Sequence, residues 1–279
     1  MSILTVEGLC KDYGTFKLKN ASFSLDEGYI MGFIGRNGAG KSTTLKAMLN
    51  LVHKDGGSVT MFGQDFFQQE QQCKQQLGVV LGMADYYPKR KLQEIAQVTR
   101  RFYTHWDQET FMGYLQRFSL DPQKRIEQLS SGMRVKFALA LALSHDARLL
   151  ILDEPTSGLD PVSRSDLLVL FRQLVAEGER SILFSTHITS DLDQCADYIT
   201  YIRQGEILCS QNRESFLDQY RLVRGSAEQA EAYQDLLIGP VQDAFGFTAL
   251  MATGDIPQDA ELVVARPNIE NIMVHLERE

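Results

Sequence analysis

The stretch Gly35-Arg36-Asn37-Gly38-Ala39-Gly40-Lys41-Ser42-Thr43 constrains this chain more than any other part of it. It fits G-x-x-x-x-G-K-[ST] and stands between an apolar run at 29–34, which reads as a buried strand, and a run at 41–51, which reads as a helix. A strand that passes through glycines directly into a helix turns a ring of backbone N–H groups inward at a helix N-terminus. Such a ring attracts phosphate oxygens. Lys41 is placed to reach the outer phosphates, and the Ser42 hydroxyl to bind Mg²⁺. Gly35, Asn37, Gly38, Ala39, Gly40 and Thr43 complete the candidate cradle.

A second apolar run, Leu149-Leu150-Ile151-Leu152, ends in Asp153-Glu154-Pro155. Alone, it is a buried strand with a polar end. Downstream of a phosphate loop, it supplies two carboxylates with separate tasks. Asp153 is the candidate to hold Mg²⁺ through water, and Glu154 the candidate general base that polarises an attacking water.

Further strand candidates at 58–62, 78–81, 181–185 and 198–203 alternate with helical patterns, which points to an α/β sheet layered by helices. Between 92 and 119 the pattern is helical, with Phe111, Tyr114, Leu115 and Phe118 on one face. The glutamine-rich stretch 68–76 reads as a polar helix. From Tyr220 onward there are four basic and ten acidic residues, so most of the chain's net charge of −8 lies there. Strands at 221–224 and 261–265 and helices at 230–237 and 269–276, the latter opened by Pro267 near its first turn, make this a small α+β appendix. The expected organisation is a main domain at 1–220, containing a helical subdomain at about 83–146, followed by an accessory domain at 221–279.

The acidic balance argues against a general nucleic-acid binder. No apolar run approaches the ~20 residues that span a bilayer. The N-terminus lacks the basic start and long apolar core of a signal peptide, so a cytosolic chain is expected. Cys10, Cys73, Cys195 and Cys209 form no C-x-x-C pair and are expected to be free thiols.

Leu129-Ser130-Ser131-Gly132-Met133 precedes Asp153 and opens a predicted helix. Together with the phosphate loop it resembles the signature of ATP-binding-cassette (ABC) ATPases. Other matches follow in order. Ser157-Gly158-Leu159-Asp160 resembles the D-loop, His187 resembles the switch histidine, and Tyr13 matches the aromatic that stacks on adenine. The resemblance covers about residues 3–220. It implies a P-loop NTPase cassette with a mixed sheet core and a helical subdomain, using ATP and Mg²⁺. It also implies a second ATPase subunit, head to tail, with each ATP held between the phosphate loop of one copy and the signature of the other. Ser130 and the Gly132 N–H would donate to the γ-phosphate across that interface, His187 would contact it from within, and Asp160 would reach across to couple the two sites.

The sequence departs from the family pattern in two places. Gly82 stands where the family carries a Gln that touches Mg²⁺ and links the site to the membrane partner; water or Asp85 would have to substitute. Ser131 and Met133 replace the more usual Gly and Gln of the signature, while Ser130 and Gly132 are kept. Three classes fit the resemblance: the ATPase subunit of a transporter with a separate permease, a soluble ABC protein of translation or DNA maintenance, and a weakly hydrolysing regulatory cassette. A single phosphate loop, the lack of a long coiled-coil insertion and the presence of Glu154 favour the first. Residues 136–145 and 266–276 further resemble ATPases of bacterial ABC-2-type exporters, those handling phenol-soluble modulins, lantibiotics or cell-envelope antibiotics. This implies a peripheral position on the cytoplasmic face of the membrane. The permease is expected to dock near 83–91, with Tyr86 and Tyr87 as contacts.

Overall fold

The computed structural model describes residues 1–81, 87–178, 180–244, 246–257 and 261–278. Gly82, Asp85 and Tyr86, named above, lie outside the described residues.

The strand Ile30–Ile34 runs through the middle of a six-stranded sheet, with Ser181–Thr186 and Tyr198–Arg203 parallel to it on either side. Leu149–Asp153 and Leu77–Leu81 continue the parallel series, and Glu206–Asn212 closes the other edge antiparallel. Every residue of Ile30–Ile34, Leu149–Asp153 and Ser181–Thr186 is buried. That explains their continuous apolar runs, because a parallel sheet covered on both faces has no solvent side to mark with polar residues.

Two cores form on the two faces. Ile30, Ile34, Leu150, Leu152, Ile182 and Phe184 point to one, and Met31, Phe33, Leu149, Ile151 and Leu183 to the other. On the first side lie the helices Gln108–Arg117 and Ser131–Leu143; Phe111, Leu115 and Phe118 are buried, and Tyr114 packs beside them, as the helical spacing predicts. The second side is covered by a four-stranded antiparallel sheet in the order Lys17–Asp26, Ser2–Asp12, Gly56–Met61, Gln64–Asp65, and by the helix Lys41–Met48.

The pairings Ile34↔Thr186 and Asp153↔Ser185 fix what this sheet delivers. The phosphate loop, the acidic pair and His187 all leave the sheet at the same edge, beyond the C-terminal ends of parallel strands, where ligand sites of α/β folds gather.

After Tyr220 a third, antiparallel sheet is built in the order Ile238–Asp243, Gly246–Ala252, Tyr220–Gly225, Val263–Ala265. Several expectations for this region need correction. The helix expected at 230–237 is Ala227–Ala232, capped by the Ser226 side chain, and the chain then enters the strand Ile238–Asp243. The strand expected at 261–265 is confined to Val263–Ala265 at the sheet edge. Pro267 lies just outside its helix, since Asn268 is the N-cap of Ile269–Leu276 and accepts the Asn271 N–H at 2.7 Å. This last helix returns to the first core through Ile269, Ile272, Met273 and Leu276.

Candidate functional site

A cleft of about 470 Å³ opens over the phosphate loop, lined by Tyr13, Thr15, Phe16, Asn37, Gly38, Gly40, Lys41, Ser42, Thr43 and Glu154. The loop is pressed onto the turn that follows Tyr198–Arg203. A Cβ on Gly35 would stand 2.3 Å from the Ile202 carbonyl oxygen, and the Gly205 N–H donates to the Ala39 carbonyl at 2.9 Å. Gly40 takes φ 116°, which turns the chain into the helix Lys41–Met48.

Lys41 is buried, and its ammonium curls back into the loop. Nζ donates to the carbonyls of Gly35 at 2.7 Å and Arg36 at 3.2 Å, and stands 3.3 Å from Glu154 Oε1. The other oxygen of that carboxylate, Oε2, is 3.2 Å from His187 Nδ1. Glu154 therefore lies between an ammonium and an imidazole.

Glu154 sits in the left-handed region at φ 49°, a conformation that costs on the order of 1–3 kcal/mol for a side-chain-bearing residue. Ser185 is what holds it there. The Ser185 hydroxyl accepts the Glu154 N–H at 2.9 Å and donates to Asp153 Oδ1 at 2.5 Å. One buried hydroxyl thus fixes both acidic residues and leaves Asp153 Oδ2 outside that bond. The sequence reading missed Ser185; the only available signal was a small hydroxyl residue at the end of an apolar parallel strand. Thr15 and Phe16 were also missed, since nothing in a short loop marks them as cleft walls.

Tyr13 is half exposed at the rim, with the Lys11 ammonium 5.4 Å from its ring centre. It lines the cleft, and an aromatic ring at such a rim is a suitable platform for a flat heterocycle.

Ser130, Gly132 and Asp160 do not line this cleft. They form a second surface of their own. Ser130 is the N-cap of Ser131–Leu143, accepting the Met133 N–H at 3.3 Å. The Ser131 hydroxyl donates to the Gly158 carbonyl at 3.1 Å, and a Cβ on Gly132 would lie 3.3 Å from Leu159. Asp160 caps Pro161–Ala176, accepting the N–H groups of Val162 and Ser163 at 3.0 Å each. Its hydrogen bond with the Ser163 side chain, then these backbone donors, holds its carboxyl below the usual carboxylate range. The signature-like segment and the Ser157–Asp160 turn are therefore packed together at two helix N-termini, away from the phosphate loop of the same chain.

Comparison with known proteins adds the following. A family model described as "ABC transporter" matches residues 18–157. The bacitracin transport ATP-binding protein BcrA of Bacillus licheniformis is 30 % identical over 210 residues, spanning 74 % of this chain and 69 % of that protein. The lantibiotic transport ATP-binding protein SrtF of Streptococcus pyogenes is 30 % identical over 209 residues, spanning 74 % and 89 %. Among solved structures, an ATP-binding subunit of an ABC transporter superposes with a TM-score of 0.70 at 25 % identity, over 78 % of this chain and 92 % of that one.

Proposed function

This chain belongs to the ABC transporter family as an ATP-binding ATPase component, and on that premise we propose that it powers export of peptide-like or antibiotic compounds through a separate permease, working as a head-to-tail pair of cassettes. The observation that carries the proposal is the division of the site. The phosphate loop, Glu154 and His187 gather at one edge of the sheet, while Ser130, Gly132 and Asp160 gather on a different surface of the chain. A nucleotide bound at the first surface meets the second only when another copy supplies it.

In this reading the loop N–H groups and Lys41 bind the phosphates, Tyr13 stacks on adenine, and Thr43 continues the cradle. The Ser42 hydroxyl and the Asp153 carboxylate are hard oxygen donors of the type Mg²⁺ prefers, and Asp153 Oδ2 is outside the Ser185 bond, so these residues fit the ion. When bound, Mg²⁺ neutralises phosphate charge. Glu154 takes the proton of the attacking water, and His187, beside it, orients the γ-phosphate. The partner's signature, with the helix N-terminus opened by Ser130, meets the γ-phosphate from the far side. Loss of that phosphate removes the bridge between the copies.

Among the described residues no helix is long and apolar enough to cross a membrane. A position on the cytoplasmic face, reached through a permease, is part of the proposal. Tyr87 is 79 % exposed beside the helical subdomain, which suits a docking contact. Binding of nucleic acid is not part of it.

The deciding experiment compares ATP hydrolysis and molecular mass in solution for the wild type and Glu154→Gln. The expected result is hydrolysis by the wild type, and an ATP-dependent dimer that persists in the variant. A variant that hydrolyses at the wild-type rate, or ATP that leaves both proteins monomeric, would overturn the paired-site reading.

A further inference from the structure

Asp191 lies in the helix Thr189–Cys195, four residues beyond His187, and is completely buried. Its Oδ2 accepts the Thr156 hydroxyl at 2.6 Å and the Thr186 hydroxyl at 3.3 Å. The two threonines belong to different working segments. Thr156 lies two residues beyond Glu154 and begins the turn that ends at Asp160. Thr186 directly precedes His187, and its hydroxyl accepts the Ile188 N–H at 3.0 Å, bracing the loop on the other side of the histidine. The second oxygen, Oδ1, faces Arg164 Nε at 4.0 Å, and neither buried atom has a hydrogen-bond partner among the described residues. Arg164 is in the first turns of Pro161–Ala176, its own N–H bonded to the Asp160 carbonyl at 3.0 Å.

A carboxylate removed from water carries a large desolvation cost unless hydroxyl or cationic partners surround it. Here those partners come from the Glu154 turn, the His187 loop and the helix capped by Asp160. The Thr156 bond is short and fixes the distance between the first two. The Arg164 contact is by charge alone, without a hydrogen bond to lock its length.

We propose that Asp191 is a positioning residue for hydrolysis: through Thr156 and Thr186 it sets the Glu154 turn against the His187 loop, and through Arg164 it links both to the Asp160 helix. The inference rests on the reading that Glu154 and His187 serve ATP hydrolysis.

Because Asp191→Ala removes a buried charge and risks the fold, the primary test uses Thr156 in the full chain, with steady-state ATPase kinetics and thermal melting. Thr156→Val keeps the side-chain shape and deletes the hydroxyl; Thr156→Ser keeps the hydroxyl and deletes the methyl. Thr156→Val is expected to lower kcat on the order of tenfold while KM for ATP stays within about twofold, and Thr156→Ser to keep kcat within about twofold. Packing alone would give the reverse order, and that order, or full activity in Thr156→Val, would overturn the proposal. In an Asp191→Ala background that folds, Thr156→Val should cause no further loss; independent, multiplying losses would likewise overturn it. A wild type without ATPase activity would remove the functional reading itself, whereas equal hydrolysis by wild type and Thr156→Val would remove only this inference.

Discussion

His187 Nδ1 stands 3.2 Å from Glu154 Oε2, within reach of the same carboxylate whose Oε1 is 3.3 Å from the Lys41 ammonium. Lys41 and His187 thus converge on the two oxygens of one carboxylate. If Lys41 turns to a bound phosphate, Glu154 Oε1 is released to meet water while Oε2 keeps its contact with His187.

Glu154→Gln should therefore lower kcat by about 10²–10⁴, the range general-base catalysis supplies, while leaving ATP affinity within a few-fold. The amide keeps size and position, and the Ser185 contact to the backbone N–H is untouched. Phosphate release and equilibrium nucleotide binding measure the two quantities separately.

Ser185→Ala should lower kcat through both acidic residues at once. It strips Asp153 Oδ1 of its donor and leaves the strained Glu154 N–H with only the Ser185 carbonyl, 3.2 Å away, as acceptor. Loss of one such buried bond to a charged group costs about 1.5–3 kcal/mol, so unfolding by urea should register a clear loss of stability, and half-maximal activity should need more Mg²⁺. Unchanged stability and unchanged Mg²⁺ response would show that Ser185 holds neither residue.

The phosphate loop offers a contrast between two glycines. Gly35→Ala drives a methyl to 2.3 Å from the Ile202 carbonyl oxygen and should destabilise the fold by about 1–3 kcal/mol while weakening ATP binding. A Cβ on Gly38 meets nothing within 4 Å, but φ there is 82°, so Gly38→Ala pays only the left-handed strain, roughly 1 kcal/mol. Nucleotide titration and denaturant melts should rank Gly35→Ala as the more damaging.

His145 gives a pH dependence. It is buried, stacked on Tyr103 at 3.6 Å between ring centres, and burial pushes its pKa below the ordinary value of 6.5. The unfolded chain therefore takes up a proton that the folded chain resists, and stability falls as pH drops below 6.5 toward the lowered folded value. Denaturant stability measured at pH 7.5 and 5.5 should show a larger acid-side loss in the wild type than in His145→Phe. Equal losses would exclude this histidine as the source.

The legible parts of the sequence were those where local chemistry and fold agree. The strand Leu149–Asp153 is apolar up to Asp153 because it is buried on both faces, and the phosphate loop is marked by residues whose backbone the turn requires. The strands Ser2–Asp12 and Lys17–Asp26 carried no such mark. Bulges shift the pairing and break the alternation of Ser2–Asp12, and in Lys17–Asp26 a clean alternation survives only over Ala21, Ser22, Phe23, Ser24 and Leu25, a short signal that the sequence reading passed over. The strand Ile238–Asp243 contains Gly239 and Pro240, which argue against a strand in sequence but are tolerated at a sheet edge. Ser185, Thr156 and Asp191 were invisible for a different reason. Their roles depend on hydroxyl–carboxylate contacts between segments more than 30 residues apart in the case of Ser185–Asp153 and Thr156–Asp191, and no local pattern encodes those.

The return of Ile269–Leu276 to the first core has a practical side. Glu277 accepts the Tyr201 hydroxyl at 2.7 Å, and Ile272 and Leu276 fill the same apolar cluster as Ile199 and Leu192. Cutting the polypeptide near residue 224 would bare a greasy strip along the helix Thr189–Cys195, just beyond His187. The shortened protein would be prone to clump, and a missing pair of cassettes in such a preparation would report poor solubility rather than any pairing role of the tail.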